Sequence, residues 1–283
     1  MPKKELSPIW AEVIRMLDDK GWMLKPYDLL FLVKLRNNYQ KHRKAADQIT
    51  GAKGVGVSVI ETYSEYAREA EKTIERIFKK AAEVDPVSRW ATSIMGIGPV
   101  HALTVRGYVD IKGTQYAGRI WRFAGLTPDT PKQQTGQKLA FCRPLKTACF
   151  LIAESFKKLS NNPKSFYGAM YKSRKLYELE RNDAGGNAEA AAQKLRECKV
   201  QNKAHRAAYE SGKLPAGHLD MRAMRWTVKL FLAHWFEVAY RDHNNAEPPK
   251  PYIIAHGNGK HSRLLTVDDV LAYERAEEVS EVA

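Results

Sequence analysis

From Val59 onward, Ile60, Tyr63, Ala67, Ala70, Ile74, Ile77 and Ala81 recur at alternating spacings of three and four residues. Held for three heptads, that spacing predicts a long coiled-coil-like helix over 59–84, with one narrow apolar stripe and charges of both signs on its other faces. Such a stripe needs a partner helix, in the same chain or in a second copy. Coiled-coil self-association is the expectation, and with it a homo-oligomer formed through 59–84. Asp85-Pro86 closes the helix, because proline disfavours helical geometry in the residue before it. Met221 to Tyr240 carries a broader apolar side made of Met224, Val228, Phe231, Leu232, Trp235 and Val238, the pattern of a helix buried over a wide face.

The remaining periodicity is also helical. Residues 6–46 read as two helices separated by Gly21 and Pro26, ending in the basic run R-N-N-Y-Q-K-H-R-K, which suits either a phosphate grip or a solvated helix face. The glycines of I-T-G-A-K-G-V-G-V predict a hinge over 50–57. Residues 87–128 read as helix, G-I-G-P turn, helix, short loop and a further helix over 116–124 that the glycine of G-L-T-P stops. Helices are expected again over 143–159 and 165–180, then a flexible break at 183–187 and one helical arm over 188–211. No strand-like alternation persists and no repeat is evident. The fold class is therefore mainly α: a helical bundle with a long coiled-coil-like helix and a helix-hairpin-helix element. Its expected parts are an N-terminal helical segment at 1–50, the 59–84 helix, a domain at 87–245 and a peripheral acidic tail at 246–283.

Charge changes this picture from a scaffold to a binder. The 283 residues hold 46 Lys and Arg against 32 Asp and Glu, a net charge of +14, and residues 96–182 alone hold 15 basic and 5 acidic side chains. That balance suits a polyanionic partner lying against the middle segment. No apolar run reaches the length of a membrane span, and M-P-K-K-E-L lacks the apolar stretch of a secretory signal, so a cytoplasmic protein without a membrane partner is expected. Cys142, Cys149 and Cys198 fit no C-x-x-C pattern, and His256 and His261 have no neighbouring ligand cluster. Neither a metal nor another cofactor is expected.

The chemistry concentrates in Ile94 to Pro128. Two helices meeting at Gly96, Ile97 and Gly98, the second opened by Pro99, would aim backbone N–H groups and a positive helix end at a phosphate. His101 stands two residues on. Arg119, Arg122, Lys132, Lys138, Arg143 and Lys146 follow as candidate backbone contacts, which would bring salt dependence rather than sequence choice. Further along, Lys157, Lys158, Lys164, Lys172, Arg174 and Lys175 interleave with Phe166, Tyr167, Tyr171 and Tyr177, a mixture that suits either base stacking or half-buried packing.

The order G-I-G-P-V-x-A, an aromatic-rich helix, F-A-G-L-T-P, a polar loop containing Q-T-G-Q-K and an alanine-containing helix resembles the C-terminal domain of the insertion-sequence one-ten transposases, the group that includes the Piv-type DNA invertases. The resemblance covers roughly residues 60–160, including the preceding long helix, which is a coiled coil in that family. It implies DNA recombination, with two departures. Family members carry an N-terminal RNase H-like domain with four metal-binding carboxylates, which the residues before the long helix are too few to build. Thr135, before Gly136, stands where the family keeps a nucleophilic serine. An activated threonine hydroxyl can attack a phosphodiester, but its β-branch makes it stiffer. The leading expectation is a DNA-binding protein related to these transposases, an accessory or remnant without autonomous nuclease activity. Two alternatives stand beside it: a strand-transfer recombinase using Thr135 with carboxylates from another polypeptide, and an RNA-binding scaffold for a structured RNA.

Overall fold

A computed structural model describes residues 8–53, 58–128, 130, 135–197, 199–249 and 265–273. Among them every regular element is a helix, and the chain divides into two compact units, Met1–Thr114 and Gln115–Ala283. The boundary falls inside the stretch expected as one domain at 87–245. The cause is the hairpin: Ala102, Leu103, Val105 and Gly107 are buried, and Gly107 lies directly against Leu29 and Leu30 of the N-terminal helices.

In the first unit, α1 (Pro8–Asp19) leads into α2 (Pro26–Lys53) and α3 (Ser58–Val84), followed by α4 (Pro86–Ser93) and α5 (Pro99–Tyr108). The two long helices run antiparallel, and the stripe at Ala67, Ala70, Ile74, Ile77 and Ala81 is buried within the chain. Over those positions the stripe packs against α2, while Tyr63 near its start is 42% exposed. Polar partners fix the register: Arg36 Nη2 lies 2.6 Å from Glu75 Oε1, Arg43 Nε 2.9 Å from Glu71 Oε2, and Ser64 Oγ donates to Asp47 Oδ1 at 2.6 Å. Burial favours the neutral form of Glu71, but hydrogen bonds from Arg43 and Gln40 and the charge of Arg36 outweigh it and hold the carboxyl below its ordinary range. Arg36 and Arg43 of the basic run are therefore held in ion pairs inside the hairpin rather than on a solvated face. Helix α2 also continues through Gly51 to Lys53, where a hinge was expected from residue 50; a single glycine costs a helix only about 1 kcal/mol. Residues 54–57 of that hinge lie outside the described residues.

The second unit is built around α11 (Ala216–Asn244), against which α6 (Ala117–Phe123), α7 (Arg143–Lys158) and α8 (Phe166–Asp183) pack. Its core holds Leu145, Ile152, Phe156, Tyr167, Phe231 and Trp235, with the rings of Phe156 and Tyr167 stacked 4.6 Å apart. Phe166, Tyr167 and Tyr171 are buried, which assigns them to packing. The arm expected as one helix over 188–211 is two, α9 (Ala188–Glu197) and α10 (Lys203–Glu210). Asn202 starts the second by accepting from His205 N–H at 3.0 Å, and the fold-back buries Ala191 and Tyr209 with Leu214 and Leu219. The tail is not wholly peripheral. Residues 265–273 dock with Val267 and Val270 buried, Tyr273 Oη donates to Pro163 O at 2.6 Å, and His234 Nε2 donates to Leu265 O at 2.9 Å. Two valines among acidic residues carry too little periodicity to reveal that docking in the sequence.

Candidate nucleic-acid interface

The expected site residues divide between the two units. In the first, Asp85 caps α4 by accepting from Ser88 N–H at 2.9 Å and also lies 3.2 Å from Arg106 Nε, tying the start of α4 to the end of α5. The turn between them uses its glycines differently. Gly96 has φ +96°, a conformation that favours glycine, whereas Gly98 caps α5 in extended geometry and a Cβ there would meet nothing within 4 Å. Ile97 points inward and is buried, so it is a core residue, while Pro99 opens α5. His101 is half-buried; burial first and the Arg36 charge second hold its pKa below the ordinary range.

In the second unit, Thr135, Lys138, Arg119, Arg122, Arg143 and Lys146 are all exposed; Lys132 lies outside the described residues, as do His256 and His261. Thr135 and Gly136 form a turn, with Gly136 at φ +81°. The G-L-T-P glycine, Gly125, has φ +64° and sits where a Cβ would come 2.7 Å from the Phe141 ring, so the motif seats that ring closely against its own backbone. Above Phe141 stands Lys146 Nζ, 4.4 Å from the ring centroid.

Lys146 belongs to a larger cationic face. Helix α11 presents Arg222, Arg225 and Lys229 at spacings of three and four, away from its buried positions at Met224, Val228, Phe231 and Trp235. Lys229 Nζ lies 4.4 Å over the Trp121 ring, whose Nε1 donates to Lys229 O at 2.9 Å, so α6 and α11 hold this ammonium between them. Arg174 of α8 lies near two rings, 4.7 Å from the Tyr177 centroid and 5.5 Å from that of Trp226. Its Nε and Nη2 both donate to Glu178 Oε1, and Arg222 Nη1 is 3.5 Å from Glu178 Oε2.

The cations fall into two classes. Lys157 and Lys175 are neutralised by Asp220, at 2.6 and 3.0 Å, with the Tyr171 hydroxyl as a third donor. Burial favours the protonated acid at Asp220, but these donors outweigh it and hold the pKa at about 2. Arg174 and Arg222 share Glu178. By contrast, among the described residues no carboxylate lies within ion-pair distance of Lys146, Arg225 or Lys229. Desolvation, and then the charge of Arg225, lowers the pKa of Lys146; burial, and then Arg225 and Arg174, lowers that of Lys229. Three cations thus crowd one face at the expense of their own charged forms.

Arg225, Lys229 and the rings of Trp121 and Trp226 were not among the expected site residues. Their signal was present in the sequence as the 222, 225, 229 spacing on the polar side of a helix read only for its apolar side. Among the described residues, no three His, Cys, Asp or Glu side chains gather as a metal-binding group. No described helix is long and apolar enough to cross a membrane. In comparisons with known proteins, no family model, no curated protein and no solved structure matches the chain.

Proposed function

We propose that the protein binds DNA through its phosphate backbone, chiefly on the face formed by α6, α7, α8 and α11. The observation that carries this reading is the gathering of Lys146, Arg225 and Lys229 with no carboxylate of the described residues within ion-pair distance, on a unit with 27 Lys and Arg against 18 Asp and Glu. A row of phosphates supplies the missing charge, and it does so by geometry that reads backbone rather than bases. Rings beneath the two ammonium groups hold them in place, so less side-chain entropy is lost on binding. The hairpin of the first unit is a second backbone contact in this proposal: beside the Gly98 Cα is open space into which a phosphate oxygen fits and a side chain would intrude. The motif order from G-I-G-P-V to Q-T-G-Q-K supports a setting in DNA recombination, in which this chain acts as a transposase-related DNA-binding protein.

Binding to a labelled duplex, followed by fluorescence anisotropy, tests this. Three phosphate contacts alone predict that affinity falls about 40-fold when salt rises from roughly 50 to 200 mM. Gly98→Val is expected to weaken binding with no fall in melting temperature. Absence of saturable binding of both the duplex and a single strand of equal length at the lower salt, or an affinity indifferent to salt, would overturn the proposal.

A further inference from the structure

We infer that this face takes an unpaired DNA strand in preference to a duplex, laying one base on Tyr177. The inference rests on the DNA-binding reading and narrows its substrate. Arg174 is the fixed point: Glu178 accepts two hydrogen bonds from it, and its planar guanidinium is packed beside both the Tyr177 and Trp226 rings. Tyr177 is therefore supported from one side by a rigid cation yet remains 49% exposed, so its open surface is directed outward. Its neighbour Leu176, at 57%, is exposed as well. Trp226, whose ring centroid is 5.5 Å from Arg174, follows Arg225 directly on α11 and precedes Lys229 by about one turn, so the platform adjoins the cations proposed to hold phosphates.

That arrangement exceeds what a duplex backbone can use. Bases in a duplex are covered by their neighbours and offer no face to a protein ring, whereas an unpaired strand lets each base stack on an aromatic side chain while its phosphates meet the adjoining cations. Burying such a ring recovers apolar surface that the protein otherwise keeps in water. The guanidinium also polarises the tyrosine ring from below, in the manner of stacking platforms built from Arg and aromatic pairs.

The experiment compares a labelled oligothymidylate of about 20 nucleotides, which has little self-structure, with a duplex of equal length, using the full-length chain. The parent is expected to bind the single strand more tightly. Tyr177→Ala should weaken single-strand binding about 10-fold and duplex binding less than about 2-fold, and Tyr177→Phe should retain the parent's preference. Equal or tighter binding of the duplex, or a Tyr177→Ala effect equal on both, overturns the inference while leaving the DNA-binding reading intact. Failure of both nucleic acids to bind instead removes the reading on which it rests. Circular dichroism of Tyr177→Ala should match the parent, since this side chain lies outside the core.

Discussion

Replacing Arg225 and Lys229 together by glutamine is expected to weaken DNA binding about 100-fold while leaving the melting temperature unchanged or higher. Hydrogen bonds from a cation to a phosphate contribute about 1.5–3 kcal/mol each, so losing two removes at least about 3 kcal/mol of binding. The stability half of the prediction follows from the charges. Lys229 is partly buried beside Arg225 and Arg174, all positive, and its pKa is lowered by burial and by those neighbours. Neutral side chains at 225 and 229 remove repulsion without leaving any described acid unpaired. The hydrogen bond from Trp121 Nε1 goes to the Lys229 backbone carbonyl, so it survives the substitution. Residues that hold a fold together lose stability and function in parallel when replaced. Residues kept for a ligand lose only function. Thermal unfolding and anisotropy on the same samples separate the two cases, and a fall in melting temperature that matches the loss of binding would assign Arg225 and Lys229 to structure.

Acidification from about pH 6.5 to pH 4 is expected to cost the second unit about 3 kcal/mol of stability through His234 alone. This imidazole is buried in the α8–α11 core, accepting from the Tyr167 hydroxyl at 2.7 Å and donating to Leu265 O at 2.9 Å. Burial lowers its pKa to about 4, against smaller raising effects from the Leu265 carbonyl and Asp269. The unfolded chain takes up the proton near the ordinary histidine value, before the folded chain does. The stability is therefore fully present above about pH 6.5, is lost as pH falls toward 4, and changes no further through this group below that. His218, whose pKa is likewise lowered first by burial, adds in the same direction, while Glu237, raised first by burial, opposes it. The Asp220 network titrates lower, nearer its own pKa of about 2, so it leaves the window from 6.5 to 4 largely to His234. Denaturant unfolding at pH 7, 5.5 and 4.5 measures the slope, and His234→Gln should flatten most of it. Equal stability of the parent at pH 7 and 4.5 would rule this account out.

Helix type and most helix limits were legible in the chain because punctuation and periodicity agree. Ser165 caps α8, Gly125 stops the turn after α6, and the apolar spacing of α3 marks a buried seam. The identity of the seam's partner was not legible. A heptad stripe is satisfied equally by a second copy or by a neighbouring helix, and the choice of α2 rests on pairs such as Arg36 with Glu75 and Arg43 with Glu71, which are separated by 28 to 39 residues. The candidate site divides in the same way. Gly96 and Lys146 could be read locally, from a turn and from the basic start of a helix. Arg225 and Lys229 lie about 80 residues beyond Lys146, on a helix whose apolar face dominates its pattern, and which cations are neutralised depends on long-range partners such as Asp220 and Glu178. Sequence charge alone does not distinguish Lys157, held by an acid at 2.6 Å, from Lys229, held over a ring.

The salt dependence of DNA affinity, compared between the parent and the Lys146→Gln, Arg225→Gln, Lys229→Gln triple variant, tests the central claim most directly. If these three side chains each neutralise a phosphate, the slope of log affinity against log salt should be shallower in the variant by about 2.7 for a duplex. A folded variant whose slope and affinity equal the parent's would contradict the claim that this face is where DNA binds.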